Sequence, residues 1–428
     1  MIIVDIKKGD FINLLHVGID DTDSPDGMCT TYLATTIINE LKKNKIKING
    51  FPRLIRLNPF AKFKTRGNGA ISFKIAIFNN QSTDLIKEIV LSNVEKLSMT
   101  EHENTNPGVV FYQGKINKKI EDYSLKSIHS IITIEEAEKL AKEVGAEIHK
   151  FKKGRGIIGS LAAIGCPLED HTYELITYRT KKNHGTKRAI KYDSVISMNT
   201  KTYPETFENI DDDYIAIEPK TSCPVLYGIR GETPEILKIA KNIVKVNEPI
   251  EYSTIFKTNQ HTDIHLKKVD KIDKMEKYGS YIVNGTVTDN PHVITGGHVF
   301  FRLSDNSGEI EASAYEPTKD FRKTIKKLIK GDQIQLFGGV GCGGTFNIEK
   351  IKILSLNKKQ VFKNPKCKCG KTLTSAGFKK GFKCKKCGFK LPNGEKIVII
   401  EDRELVENSY YETPTSARRH LSKPLIRN

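Results

Sequence analysis

The sequence lacks the features of a membrane or secreted protein. No apolar run in its 428 residues approaches the roughly 20 residues that span a bilayer, and the start, MIIVDIKKGDFINLL, is too charged for a signal peptide. The eight cysteines do not form a disulfide-type pattern, because four cluster near the end and the others are scattered at Cys29, Cys166, Cys223 and Cys342. We therefore expect a soluble cytoplasmic protein with reduced thiols and no membrane partner.

Acidic residues are scarce relative to basic ones. The chain has 69 Lys and Arg against 51 Asp and Glu, which gives a formal net charge of +18. This excess indicates a polyanionic partner, most simply nucleic acid, although a lysine-rich proteome with solvated surfaces would give the same balance. The glycine-rich loops also lack the G-x-x-x-x-G-K-[ST] spacing of a Walker A nucleotide site.

Secondary-structure patterns divide the chain into two regions. Up to about residue 249, strands and helices alternate, as in the strand at 14–19 and the following helix, which indicates α+β or α/β structure and room for two domains with a boundary between 115 and 130. From about residue 280, three strands, a helix at 318–329 and two more strands follow the order of a five-stranded OB barrel. Phe321, Ile325 and Leu328 are spaced to close its bottom. Such a barrel binds single-stranded nucleic acid or serves only in packing.

Four cysteines near the end have the spacing C-x-C-x14-C-x2-C. Cys369 and Cys387 are each followed by glycine, as in a zinc knuckle, and four thiolates suit tetrahedral Zn2+. The single residue between Cys367 and Cys369 makes the first knuckle unusually tight. We predict a structural zinc ribbon, since so short a segment cannot bury enough core to fold alone; a redox or unligated cluster is the alternative.

Three carboxylates, Asp20, Asp21 and Asp23, follow the first strand. They would repel one another unless they shared a cation such as Mg2+, which takes oxygen ligands and bridges to phosphates. The loop at 27–30 then enters a helix N-terminus, where free amides favour an anion. The segment KFKTRGNG could supply a second phosphate cradle. Taken alone, aspartates beside serine and glycine are most often turns and helix caps. Together the two stretches favour a nucleotide site with the candidate ligands Gly27, Thr31, Lys64, Arg66, Gly67 and Gly69.

Two smaller clusters are ambiguous. His261 and His265 flank Asp263 at helical spacing, but they lack a further ligand, so we expect a structural role. Arg418 and Arg419 near the C-terminus could bind phosphates of a nucleic acid or belong to a solvated end.

The motifs GIDDTDSPDGMCTTYLA, KTRGNGA, TNPGVV, GRGIIGSLAAIG, YELITYR, PVLYGIRGE, IFKTNQHTDIHL and ARRHLSKPL occur in the order of one family. From about residue 16 to 425 the chain resembles the archaeal tRNA 2-agmatinylcytidine synthetases. The resemblance implies a multidomain α+β protein: a kinase-like α/β domain for ATP and the wobble cytidine (14–125), a ferredoxin-like domain (126–250), a linker and OB-fold RNA-binding domain (251–358), a zinc ribbon (362–392) and a basic tail (393–428).

The resemblance also implies an activity and site residues. The family joins agmatine to C2 of the wobble cytidine of an isoleucine tRNA with a CAU anticodon, consuming ATP and releasing AMP, so that the tRNA reads AUA. By this resemblance Asp20, Asp21 and Asp23 bind metal and nucleotide, Thr30 is phosphorylated by the enzyme itself, and Asn68 lies with Arg66 and Gly69 in the phosphate-side loop. A non-catalytic single-strand binder and a small-molecule kinase are the alternative functions.

Overall fold

The computed structural model of the protein describes residues 13–65, 67–77 and 83–428. Its first half alternates strands and helices, as predicted. The elements are β1 (Asn13–Asp20), α1 (Thr30–Lys43), β2 (Arg53–Arg56), β3 (Gly69–Ile77), α2 (Asp84–Leu97), β4 (Gly108–Gln113), α3 (Lys118–His129), α4 (Ile134–Val144), β5 (Glu147–Lys150), α5 (Ile157–Gly165), β6 (Thr172–Arg179), α6 (Tyr192–Thr202), β7 (Thr206–Phe207), β8 (Ile210–Asp211), β9 (Tyr214–Ile215), β10 (Val225–Gly231), α7 (Pro234–Ile243) and β11 (Ile250–Thr258).

One nine-stranded sheet runs through this half in the order β5-β4-β1-β3-β2-β11-β6-β10-β7. β1 lies between β4 and β3 in this order, and its residues Val17 and Ile19 are fully buried. The first part of the sheet is β5-β4-β1-β3-β2 and the second part is β11-β6-β10-β7. The two parts are joined by β2 and β11, which pair in parallel. The predicted boundary at 115–130 coincides with α3, which donates a hydrogen bond from Ser124 Oγ to the Ala162 carbonyl of α5 (2.7 Å).

Helix α5 lies unusually close to the sheet. A Cβ at Gly18 of β1 would stand 2.2 Å from the Ser160 carbonyl oxygen, and one at Gly108 of β4 would stand 2.1 Å from the Ile157 nitrogen. Only glycine fits at these crossings. The contact brings the N-terminus of α5 to the end of β1, where Asp20 lies.

The second half contains the predicted barrel. Its elements are β12 (Leu266–Lys268), β13 (Ser280–Val287), β14 (His292–Val293), β15 (Val299–Ser304), β16 (Glu309–Ala314), α8 (Phe321–Ile325), β17 (Gln333–Val340) and β18 (Phe346–Ser355). The ring β13-β15-β16-β18-β17 closes back on β13, which is the strand order of an OB barrel. Phe321, Ile325 and Leu328 are buried in its core, as predicted.

The barrel helix is shorter than the predicted 318–329. Lys319 adopts φ of +45°, which interrupts a right-handed helix, so a 3-10 turn at Glu316–Thr318 precedes the short α8. The chain then continues through β19 (Gln360–Lys363), β20 (Thr374–Ser375), β21 (Phe382–Lys383), β22 (Lys390–Leu391), β23 (Ile397–Ile400) and β24 (Tyr410–Glu412). Strands β20–β22 form a small sheet around the four cysteines, and β24 returns to pair with β18.

Across the described ranges, no helix combines the length and apolar character needed to cross a bilayer.

Candidate active site and zinc centre

A cavity of about 990 Å3 opens where β1 ends and where α1 and α5 begin. Both parts of the nine-stranded sheet and the C-terminal segment form its wall. Of the site residues predicted from sequence, the wall contains Asp20, Asp21, Asp23, Thr30, Thr31, Lys64, Gly67, Asn68, Gly69 and Arg418, whereas Gly27 and Arg419 lie outside it. Arg66 falls outside the described residues.

The acidic group lies at the end of β1. Burial, followed by the negative charge of Asp21, raises the pKa of Asp20 to about 8. Burial also raises the pKa of Asp21 to about 6, although Arg155 opposes this shift. The Asp20 carboxylate lies over Gly159 of α5, where a Cβ would stand 2.0 Å from Asp20 Oδ2. Crowded carboxyl groups with raised pKa values form a donor set that a divalent cation would stabilise.

Arg155 pairs with the acidic group, and it was not among the residues predicted from the sequence. Its Nη2 donates to Asp21 Oδ2 at 2.7 Å and to the Asn104 carbonyl at 2.6 Å. Its guanidinium also lies 5.0 Å from the ring centre of Phe63. Arg155 therefore holds Asp21 in a fixed orientation.

The N-terminus of α1 faces the same cavity. Its first turn contains no acidic residue, so no side chain of that turn offsets the positive end of the helix dipole. Thr30, the first helical residue, is 5% exposed, and its Oγ1 accepts a hydrogen bond from Thr22 Oγ1 (3.1 Å). This arrangement is suited to binding an anion beside the Thr30 hydroxyl.

The glycine-rich segment forms a tight turn at the opposite wall. Asn68 adopts φ of +46° and donates from Nδ2 to the Asn58 carbonyl at 2.8 Å. Lys64 donates to the Pro59 carbonyl, and burial lowers its pKa. A Cβ at Gly69 would stand 2.9 Å from Arg56 Nη1, so a larger residue there would have to displace the end of the Arg56 side chain.

Charged side chains from β2, β6 and β10 form one side of the cavity, here called the charged floor. Glu174 of β6 lies 3.5 Å from Arg230 Nε and 3.9 Å from Arg56 Nη2, and it accepts a hydrogen bond from Gln260 Nε2 at 2.6 Å. All but Gln260 line the cavity. Sequence reasoning missed this floor, since its members lie on separate strands far apart in the chain.

The two histidines of the KTNQHTDIHL segment are hydrogen-bonded within the fold, and His261 also lines the cavity. His261 Nδ1 bonds the Ser422 carbonyl at 3.0 Å, and His265 Nε2 bonds Glu349 Oε2 of β18 at 3.0 Å. Among the described residues, the cluster with metal-binding geometry is the cysteine set instead.

The four cysteines converge despite the tight first pair. Their sulfur atoms all lie within 4.8 Å of one another, with Cys367 Sγ 3.4 Å from Cys387 Sγ and Cys369 Sγ 3.6 Å from Cys384 Sγ. A tetrahedral ion with bonds of about 2.3 Å would separate the sulfurs by about 3.8 Å, so the set fits Zn2+. Backbone amides, that of Cys387 first, lower the pKa of Cys384 to about 6, which favours its thiolate.

The two arginines near the C-terminus point inward. Arg418 is buried, with its Nε 2.7 Å from Glu208 Oε1 and a second bond to Glu412. Arg419 lies 3.2 Å from Glu349 Oε1, and its guanidinium stacks over Phe60 at 4.5 Å. Both guanidinium groups thus already have carboxylate partners in the folded chain.

Four family models match the chain along its length. They describe the TiaS TCKD domain (residues 16–153), the TiaS FLD domain (154–265), an OB-fold nucleic acid binding domain (281–354) and the TiaS C-terminal zinc ribbon domain (364–405). The tRNA(Ile2) 2-agmatinylcytidine synthetase TiaS of Methanocaldococcus jannaschii is 47% identical, over 96% of this chain and 98% of the relative. The chain belongs to the TiaS family.

Solved TiaS structures have the same fold. The crystal structure of a TiaS–tRNA(Ile2)–ATP complex is similar with a TM-score of 0.87 and 43% identity, and it covers 97% of both chains. A TiaS–tRNA(Ile2)–AMPCPP–agmatine complex gives a TM-score of 0.86 and 41% identity, again over 97% of each. These similarities confirm the predicted TiaS architecture with its OB-fold and zinc-ribbon domains.

Proposed function

We propose that this chain conjugates agmatine to C2 of the wobble cytidine of the CAU-anticodon isoleucine tRNA, consuming ATP and giving 2-agmatinylcytidine. The observation that carries this proposal is the single cavity that gathers three aspartates, a helix N-terminus and a glycine-rich turn. It occurs in a chain that aligns almost end to end with synthetases named for this reaction. We propose the cytoplasm, where tRNA and ATP meet, as its location.

The acidic end of the cavity would bind ATP together with Mg2+. We assign Asp20, Asp21 and Asp23 as the magnesium ligands, because a cation would relieve the repulsion that raises the pKa values of the first two. When bound, Mg2+ would neutralise phosphate charge and hold the phosphates in line for transfer. Arg155 would keep the Asp21 carboxylate turned toward the ion.

The anion-binding elements would hold the phosphates between two walls. The N-terminus of α1 offers backbone amides from one side, with Thr31 in its first turn, and Thr30 is the proposed acceptor in self-phosphorylation. A nucleotide contact by Gly27 stays a prediction, since Gly27 lies outside the cavity wall and its amide donates to the Ser24 carbonyl at 3.3 Å. The opposite wall offers Lys64 and the 67–69 turn. By the family pattern, Arg66 is a further proposed phosphate ligand. Phosphoryl transfer depends mainly on such positioning and charge neutralisation.

The chemistry requires that the cytidine be activated. The C2 carbonyl is a poor electrophile, so its oxygen must be converted to a leaving group, which ATP can do by phosphorylation. The agmatine amine then adds at C2 and loses its protons, and phosphate departs with the former carbonyl oxygen, so the base loses that oxygen and gains a C–N bond. A base within an anticodon loop has to be turned outward to enter the cavity.

The OB barrel and the zinc ribbon would hold the rest of the tRNA. Zn2+ at Cys367, Cys369, Cys384 and Cys387 would have a structural role. A tRNA contact by Arg418 or Arg419 stays a prediction, and it would require their ion pairs with Glu208, Glu412 and Glu349 to open.

The test is incorporation of labelled agmatine into transcribed isoleucine tRNA. We expect ATP-dependent label with the native chain and almost none with Asp21→Asn, which keeps the size of the side chain but removes its charge. The matched control is Asp122→Asn, an exposed carboxylate on α3 that pairs with Lys118, and it should retain full activity. ATP turnover without tRNA would instead indicate a small-molecule kinase, and tRNA binding without turnover would indicate a non-catalytic binder.

A further inference from the structure

Residues 413–428, here called the C-terminal strap, run from the OB barrel back to the cavity. The strap begins at the barrel, where the Thr413 amide donates to the Glu349 carbonyl of β18 at 3.2 Å. Lys350 of the same strand donates to the Lys423 carbonyl at 2.7 Å. The far end is tied to the second part of the sheet, since Arg427 Nη2 lies 3.0 Å from Asp170 Oδ1. The strap is thus anchored on two domains.

The middle of the strap enters the folded core. The carbonyls of His420 and Leu421 accept hydrogen bonds from the amides of His261 (2.8 Å) and Asp263 (2.9 Å). The Leu421 side chain is 2% exposed and belongs to the same apolar cluster as Leu57, which directly follows β2. This segment is therefore part of the domain that forms the cavity, and a solvated end would show none of these contacts.

The His420 ring packs directly on the glycine-rich turn. A Cβ at Gly67 would stand 2.7 Å from His420 Cδ2, 2.8 Å from its Nε2 and 2.6 Å from Arg56 Nη1. The ring and the turn are therefore in contact with no space between them, and both line the cavity. The positive charge of Arg56, together with burial, holds the pKa of His420 well below its usual range. A neutral ring can fill this cationic corner without adding repulsion.

We propose that His420 is a positioning residue that holds the 67–69 turn against the cavity, and that the C-terminal strap thereby connects this turn to the OB barrel. Holding the turn would follow from shape, because the His420 ring, together with the end of the Arg56 side chain, fills the space beside Gly67 into which a side chain would project. The link to phosphate binding rests on the proposed function, but the contact itself does not.

The experiment is hydrogen–deuterium exchange of the full-length protein without substrates, followed in peptides that span residues 60–70. His420→Ala removes the ring and should speed exchange there by about tenfold or more, because the opening of the turn no longer displaces a packed side chain. His420→Phe keeps a planar ring and should restore slow exchange. Ile426→Ala, at an exposed position of the same strap, is the matched control and should change nothing.

A second readout uses ATP. In agmatine incorporation, His420→Ala should raise the KM for ATP about tenfold with a smaller change in kcat, since a displaced turn weakens phosphate placement.

If His420→Ala fails to fold, Gly67→Ala tests the contact from the other side and should speed exchange in the same peptides. Unchanged exchange in a folded His420→Ala variant, or failure of His420→Phe to restore it, would overturn the proposal. A native chain with slow exchange but no agmatine incorporation would refute only the proposed function.

Discussion

Replacing Asp20 by Asn should stabilise the protein while abolishing its activity. The Asp20 pKa is raised from 3.8 to about 8, chiefly by burial. Between about pH 4 and pH 8, Asp20 is protonated in the native state but ionised in the unfolded state. The free energy of unfolding of the cation-free protein therefore falls as pH rises from about 4 to 8. Asn cannot ionise and has no such pH dependence.

The size of the effect follows from the shift. Each pKa unit corresponds to about 1.4 kcal/mol, so the change from pH 5 to pH 7 would lower stability by up to about 2.7 kcal/mol. Solvent in the cavity screens part of this cost, which leaves about 1–2 kcal/mol. For a unit of this size, that corresponds to a rise of about 4 °C in the Tm of Asp20→Asn near pH 7.5.

The assay is a melting curve at pH 5, 6, 7 and 8, with and without Mg2+, alongside agmatine incorporation. Mg2+ should raise the Tm of the native chain at pH 8 and leave Asp20→Asn unaffected. If Asp20 only shapes a turn, Asn would preserve activity and the two melting curves would depend on pH alike. That result would show that Asp20 is not a metal ligand.

Three further substitutions test other parts of the account. Arg155→Ala removes the cation that lowers the pKa of Asp21, so the acidic limb of the pH–activity profile should move to higher pH, and an unmoved profile would contradict this role. Gly159→Ala places a methyl group 2.0 Å from Asp20 Oδ2, so incorporation should fall about 100-fold while the melting temperature, helped by a better helix former, changes little. Cys384→Ser should eliminate stoichiometric zinc and weaken tRNA binding but leave the melting of the N-terminal half unchanged; native protein that contains no zinc would disprove the zinc centre.

Local patterns in the sequence predicted much of the fold. Strand β1, helix α1 and the barrel strands each have a hydrophobic pattern that is visible within a short window of sequence. The structure has these elements where the patterns predict them. The four cysteines were identifiable from spacing alone. The barrel helix was predicted too long, because the left-handed backbone at Lys319 leaves no signal in hydrophobic periodicity.

The long-range parts of the site could not be predicted in this way. Arg155 and Asp21 are 134 residues apart in the chain and meet only because α5 crosses β1 at glycines. Glu174 and Arg230 meet because β6 pairs with β10. His420 reaches Gly67 only through the path of the strap. The glycines of GRGIIGS indicate that α5 packs closely against another element. They do not indicate which element that is.

Conjugation of agmatine to the wobble cytidine can be observed by mass spectrometry of nuclease fragments of the isoleucine tRNA after reaction with ATP and agmatine. We expect one mass increase, equal to agmatine minus water, confined to the fragment with the wobble cytidine and absent without ATP. An adduct at another nucleotide, an adduct formed without ATP, or an unmodified tRNA after complete ATP turnover would contradict it.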